Sequence, residues 1–135
     1  MDYVVLDTDV ASLSIRRRLS AAAMARLGGK LWAITFVTVG EMTQWADLWS
    51  WSPRNQGALD VWLSERVLLD AGREVARTWG RLSADGKRRG RVHPINDCWI
   101  AATCLTEGLP LATFNTKDFE DIAANHGLTL ISLPR

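Results

Sequence analysis

Tyr3-Val-Val-Leu6, followed by Asp7-Thr-Asp9, is the stretch that decides the fold. The apolar run is short, β-rich and stopped by an acid. It reads as a buried strand of a parallel sheet whose carboxyl end delivers Asp7 into a loop. A second such strand is expected over Leu31 to Val37, followed at once by Thr38-Val-Gly-Glu41. Thr and Glu three residues apart before an amphipathic run form a capping-box pattern, so a helix is expected to about Trp49.

The rest of the chain repeats this alternation. Helices are expected from Val10 to about Arg17 and from Leu19 to Leu27, the second stopped by Gly28-Gly29. Ser50 to Gly57, with Pro53 and Asn55, reads as a loop, and a helix then runs to about Ser64. Arg66 to Leu69 reads as a strand and Ala71 to about Ala84 as a helix, with Gly86 and Gly90 breaking the pattern. Pro94 opens a further helix through Leu105 that stops at Gly108. A strand over Pro110 to Phe114, a helix over Thr116 to Asn125 and a strand over Leu128 to Leu133 complete the chain. Strands alternating with helices predict a parallel sheet covered on both faces, with right-handed crossovers.

Composition bounds the class. A chain of 135 residues that is 47% hydrophobic is the size of one domain with one core. No apolar run reaches the roughly 18 residues of a membrane helix, and no secretory signal is visible at the N-terminus. Cys98 and Cys104 lie six apart and match no CxxC or zinc spacing with His93 or His126. They read as buried reduced thiols, which suits the cytoplasm. Net charge is only +1, but residues 73–91 hold seven Lys or Arg against two acids. A bulk polycation is excluded; a local basic stripe is not.

In an open parallel sheet, the carboxyl ends of the strands and the amino ends of the following helices share one edge, where ligands bind. That edge should gather Asp7, Glu41, Asp97 and Asp118. Taken singly, Glu41 also fits a capping partner of Thr38, and Asp118 a partner of Asn115 or Thr116. Asp97 fits a simple helix-dipole contact. Asp7 has no Lys or Arg within eight residues, and an unpaired buried carboxylate is costly. Four acids on one edge repel unless a cation sits among them, and an all-oxygen set favours Mg²⁺ or Mn²⁺ over zinc. Such an ion activates water against a phosphate ester, which points to hydrolysis of a phosphodiester.

Asp7-Thr-Asp9 also matches the opening of haloacid-dehalogenase-type phosphatases, but that class needs a later strand-borne acidic pair and a cap insertion, and neither is found. Val4-Val-Leu-Asp-Thr-Asp-Val10, Thr38-Val-Gly-Glu41, Asn96-Asp97 with Ile100-Ala101, and Leu111-Ala-Thr-Phe-Asn-Thr-Lys-Asp-Phe119 together resemble the PIN-domain ribonucleases, above all VapC-type toxins. The resemblance implies a three-layer α/β/α sandwich with a mainly parallel central sheet and an Mg²⁺- or Mn²⁺-dependent endoribonuclease. It implies metal ligation by Asp7, Glu41, Asp97 and Asp118. Thr8, Thr113 and Asn115 would orient ligands or water, and Asp9 would face the pocket. It further implies a homodimer and a cognate antitoxin that blocks the pocket. A nuclease of RNA maturation without an antitoxin and a non-catalytic RNA-binding module are the alternatives.

Two other features invite a role. Lys87, Arg88, Arg89 and Arg91 are candidates for phosphate contacts, since Asp97 is only six residues beyond Arg91; a solvated loop is the plainer reading. Trp45, Trp49, Trp51 and Trp62 cluster in one helix–loop–helix region, either as core or, for Trp51 in its polar loop, as part of a dimer or antitoxin surface.

Overall fold

Residues 2–135 are described by a computed structural model. β1 (Tyr3–Leu6) lies at the centre of a five-stranded sheet with β2 (Leu31–Thr35), β3 (Val67–Leu69), β4 (Leu111–Thr113) and β5 (Leu130–Ser132). The order is β3-β2-β1-β4-β5, and every neighbouring pair is parallel. The register places Val5 opposite both Ala33 and Leu111. All three are fully buried, which is why these central strands read as continuous apolar runs.

The period-two alternation of β1 divides the core. Val4 and Leu6 face one side with Ile34 and Ala112, under α1 (Thr8–Ile15), α2 (Ala21–Leu27), α3 (Phe36–Leu48) and α4 (Pro53–Ser64). Val5 faces the other with Ala33 and Leu111, under α5 (Arg73–Arg88), α6 (Ile95–Glu107) and α7 (Glu120–His126). This is the three-layer α/β/α sandwich expected. Cys98 and Cys104 are both buried and unpaired in α6. Burial pushes the Cys98 thiol up to about 11 and that of Cys104 higher still, which keeps both protonated.

The structure corrects the reading of the sequence at three places. The loop expected over residues 50–57 is confined to Ser50–Ser52. Ser52 caps α4 by accepting from Asn55 N at 3.2 Å, with Pro53 as its first residue. β2 ends at Thr35 rather than Val37, and Thr35 rather than Thr38 caps α3, through a weak 3.4 Å bond from Thr38 N. Phe36 and Val37 are therefore helical despite their strand-like character: the cap overrides their propensity.

The third correction concerns α5, which continues past Ala84 to Arg88. Gly86 does not break it. The chain folds back over this glycine, with Arg91 N donating to Gly86 O at 2.7 Å. A Cβ at residue 86 would meet Arg91 O at 2.5 Å and the His93 ring at 3.1 Å. The glycine is there for close approach, whereas Gly80 of the same helix faces open space. Gly86→Ala should cost about 1–3 kcal/mol by overpacking, whereas Gly80→Ala should add about 0.5–1 kcal/mol. Urea unfolding of the two variants checks this: equal midpoints would remove the close-approach account.

Candidate active site

The site is built on the end of β1. Asp7 N donates to Ala112 O at 3.0 Å, which continues the β1–β4 pairing one residue past the strand. The Asp7 backbone is extended (φ −61°, ψ 155°), and the residue becomes the N-cap of α1. One carboxylate oxygen accepts from Thr8 N at 2.9 Å, and the other from Thr113 Oγ1 at 2.7 Å. Only 8% of Asp7 is exposed, and no Lys, Arg or His among the described residues pairs with it. Burial outweighs both donors and raises its pKa above the ordinary range.

Thr8 links this strand end to α3. Its hydroxyl lies 2.9 Å from Thr38 Oγ1 and donates to Glu41 Oε1 at 2.9 Å. Glu41 therefore sits in the second turn of α3, turned inward to Thr8; the capping-box role with Thr38 does not form, because Thr35 holds the cap. Thr38 was read only as a cap; buried, it instead positions Thr8. A threonine three residues before the Glu, on the same helix face, was the available signal.

Asp97 lies in the first turn of α6. Its pKa is pushed up to about 6, first by burial and then by Asp7, Asp118, Glu41 and Asp9. Those carboxylates are thus its electrostatic neighbours although 111 residues separate Asp7 from Asp118 along the chain. Asp118 ends a 3-10 turn (Thr116–Asp118) after β4 and is exposed at the rim. Asn115 precedes this turn. Its N–H donates to Thr113 Oγ1 at 3.0 Å, and its side-chain amide lies at 3.4 Å from Asp9, at the outer limit of a hydrogen bond.

The edge thus gathers Asp7, Asp9, Glu41, Asp97 and Asp118 in an acidic basin, and among the described residues none of these acids is in an ion pair. Among the described residues, no three His, Cys, Asp or Glu side chains stand close enough to ligate one ion as they are placed. Like charges with no counter-ion between them keep apart. The donor set nevertheless fits a hard cation: all ligating atoms are oxygens, and each Asp7 oxygen retains a free lone pair.

The basic segment lies at the same edge but is not uniformly free. Arg89 is clamped in a two-pronged ion pair to Asp121, at 2.8 and 2.7 Å, and also reaches Asp85 at 2.8 Å. It holds the Asp121 carboxyl down at about 2. Asp121 is three residues beyond Asp118, so the clamp draws the end of α5 towards the basin. His93 lies 3.3 Å from Asp121, and His126 lies 3.0 Å from Asp85, so neither is a bare surface residue. Arg89 is a structural pin, whereas Lys87, Arg88 and Arg91 are exposed and, among the described residues, in no ion pair.

The Trp cluster also divides. Trp51 is half-buried against the core, and Arg66 stacks over Trp62 and Trp32 at 4.8 and 5.6 Å. Trp49 is instead the exposed member, at 59%.

The PIN-domain family model matches residues 4–125. Ribonuclease VapC2 of Haemophilus influenzae is 28% identical over 121 residues, covering 89% of this chain and 92% of the relative. The tRNA(fMet)-specific endonuclease VapC of Shigella flexneri is also 28% identical, covering 87% and 90%. The toxin–antitoxin complex VapBC2 of Rickettsia felis, solved on promoter DNA, contains a chain of the same fold. Its TM-score is 0.84 at 22% identity, over 98% of this chain and 99% of that one. VapBC-5 of Mycobacterium tuberculosis gives a TM-score of 0.74 at 25% identity, over 98% and 100%.

The pKa of Asp97 sets a test in metal-free buffer. Its folded value lies above the ordinary 3.8, so the folded state holds the proton more tightly than the unfolded chain between about pH 4 and pH 6. The electrostatic penalty therefore grows as pH rises through that window and is complete above it. Asp97→Asn should stabilise the protein at pH 7.5 by about 1–2 kcal/mol, after allowing for solvent screening at the mouth, and have little effect near pH 4. Thermal unfolding across pH checks this; a gain that persists at pH 4 would remove repulsion as its cause.

Proposed function

Because the chain belongs to the PIN-domain family, we propose that it is an endoribonuclease toxin. It depends on Mg²⁺ or Mn²⁺ and is held in check by a cognate antitoxin. The observation that carries this reading is Asp7: a nearly buried carboxylate, raised in pKa, among four further acids and without a cation. A structural carboxylate would be expected to have a positive partner. The VapC relatives, ribonucleases by name, support the substrate class, and the VapBC neighbours support an antitoxin partner.

Asp7, Glu41, Asp97 and Asp118 would hold the ion, which when bound supplies a water of lowered pKa and neutralises charge on a phosphate oxygen. The chain's own residues prepare the place. The Thr8 N–H and the Thr113 hydroxyl each hold one oxygen of Asp7 and so set the orientation of its carboxylate. Thr8, itself braced by Thr38, holds Glu41 inward. Asn115 extends the Thr113 contact to the loop that carries Asp118. Lys87, Arg88 and Arg91 would contact phosphates of the RNA backbone beside the basin.

Two measurements test the reading. Purified protein should cleave RNA with Mg²⁺ or Mn²⁺, lose activity on chelation, and fall by at least about 10²-fold in Asp7→Asn. Cleavage that survives chelation would overturn it. Independently of activity, Mn²⁺ at about 100 times its Kd should stabilise the native protein by about 2.7 kcal/mol, and Asp7→Asn much less.

A further inference from the structure

A groove of about 280 Å³ opens beside the basin, against the same two helices that carry Thr8 and Glu41, but its lining side chains are none of the proposed ion ligands. One wall is a single face of α1, carrying Asp9, Leu13 and Arg16. These are i, i+4 and i+7, the spacing of residues on one helix face. The opposite wall is the second half of α3, where Trp45 and Trp49 stack with centroids 6.1 Å apart and ring planes 19° apart. Arg135 closes the end and lies 4.9 Å above the Phe114 ring. Asp9 is common to the groove and the basin: it lines the groove, stands two residues beyond Asp7, and its carboxylate lies 3.4 Å from the Asn115 amide. A strand of substrate leaving the acidic basin over Asp9 therefore enters this groove next.

We infer that the groove is a nucleotide subsite of the substrate RNA. The base flanking the cleaved bond stacks on Trp49, and its backbone phosphates lie against Arg16 and Arg135. The inference rests on the ribonuclease reading above. Three properties select this occupant. Trp49 keeps 59% of its surface exposed, in a stack that already fixes the orientation of its indole. A flat aromatic face held rigid is the platform single-stranded bases use, and it tolerates any base. The two guanidiniums supply cations beside the unpaired acids of the basin, so an anionic strand meets acid and metal at the cleaved bond and arginine just beyond it. Neither arginine is tied to a carboxylate among the described residues. The subsite thereby separates grip from chemistry: Trp49, Arg16 and Arg135 hold the neighbouring nucleotide while the carboxylates act on the bond.

The test uses the full chain carrying Asp7→Asn, so that RNA binding is measured without cleavage. A fluorescein-labelled single-stranded RNA of about eight nucleotides is titrated and followed by anisotropy and by quenching of tryptophan emission. Adding Trp49→Ala should weaken binding about tenfold, while Trp49→Phe should retain most of the affinity. Arg16→Ala with Arg135→Ala should lower the slope of log K against log salt by about 1.4, as loss of two single-strand phosphate contacts requires. In the otherwise native protein, Trp49→Ala should raise KM far more than it lowers kcat. Because Trp49 and the two arginines are exposed, thermal unfolding should be unchanged, and this is measured on each variant.

Unchanged RNA affinity in Trp49→Ala overturns the subsite. So does unchanged RNA affinity with a loss of self-association by sedimentation, which would make the face a contact between copies. Unchanged RNA affinity with weakened binding of a co-purified antitoxin would make it a protein-docking face instead. No RNA binding by Asp7→Asn while the native protein cleaves overturns it too. Failure of the native protein to cleave any RNA with Mg²⁺ or Mn²⁺ strikes the ribonuclease reading itself, a distinct result.

Discussion

A carboxylate kept inside the protein with two hydrogen-bond donors and no positive partner is the constraint on which this molecule is arranged. Asp7 accepts from Thr8 N and Thr113 Oγ1, and both donors favour its charged form. Burial still prevails and pushes its pKa up. The folded protein therefore carries an electrostatic imbalance at one edge, and further acids deepen it. Proteins hold such imbalance where function needs it and offset it with stability from elsewhere. Here the offset is the fully buried pairing of β1 between β2 and β4.

The fold could be read from the sequence because its signal is repetitive. Each strand is a short apolar run ended by a polar turn, and each helix that follows starts on the same edge. The errors were local and share one cause. Phe36 and Val37 look like strand, and Gly86 looks like a break, yet both are helical because a neighbour decides. At residue 36 the neighbour is the Thr35 cap; at residue 86 it is the returning chain at Arg91 and His93. Neither can be seen in a window of a few residues.

The acids of the candidate site were readable for a related reason: Asp7, Glu41 and Asp118 each follow a strand, and Asp97 opens a helix. Their supports were not. Thr38 could be taken for a cap, since nothing in the sequence shows that Thr8 lies 2.9 Å away. Arg89 looked like its basic neighbours, although Asp121, 32 residues on, takes both of its prongs. A charge run in a sequence thus mixes cations that hold the fold with cations that face solvent. Only contacts across the chain separate them.

The position of β1 at the middle of the sheet decides when the acidic pocket can be assembled. Asp7 is made 106 residues before Thr113, its second donor, and β5 follows later still. The central strand has its second flank only once β4 is available. A nascent chain from which residues 111–118 have not yet emerged therefore lacks half of the cradle for Asp7, together with Asp118. Strand order alone thus withholds the assembled pocket until β4 and the turn that carries Asp118 have emerged, however early Asp7 is made.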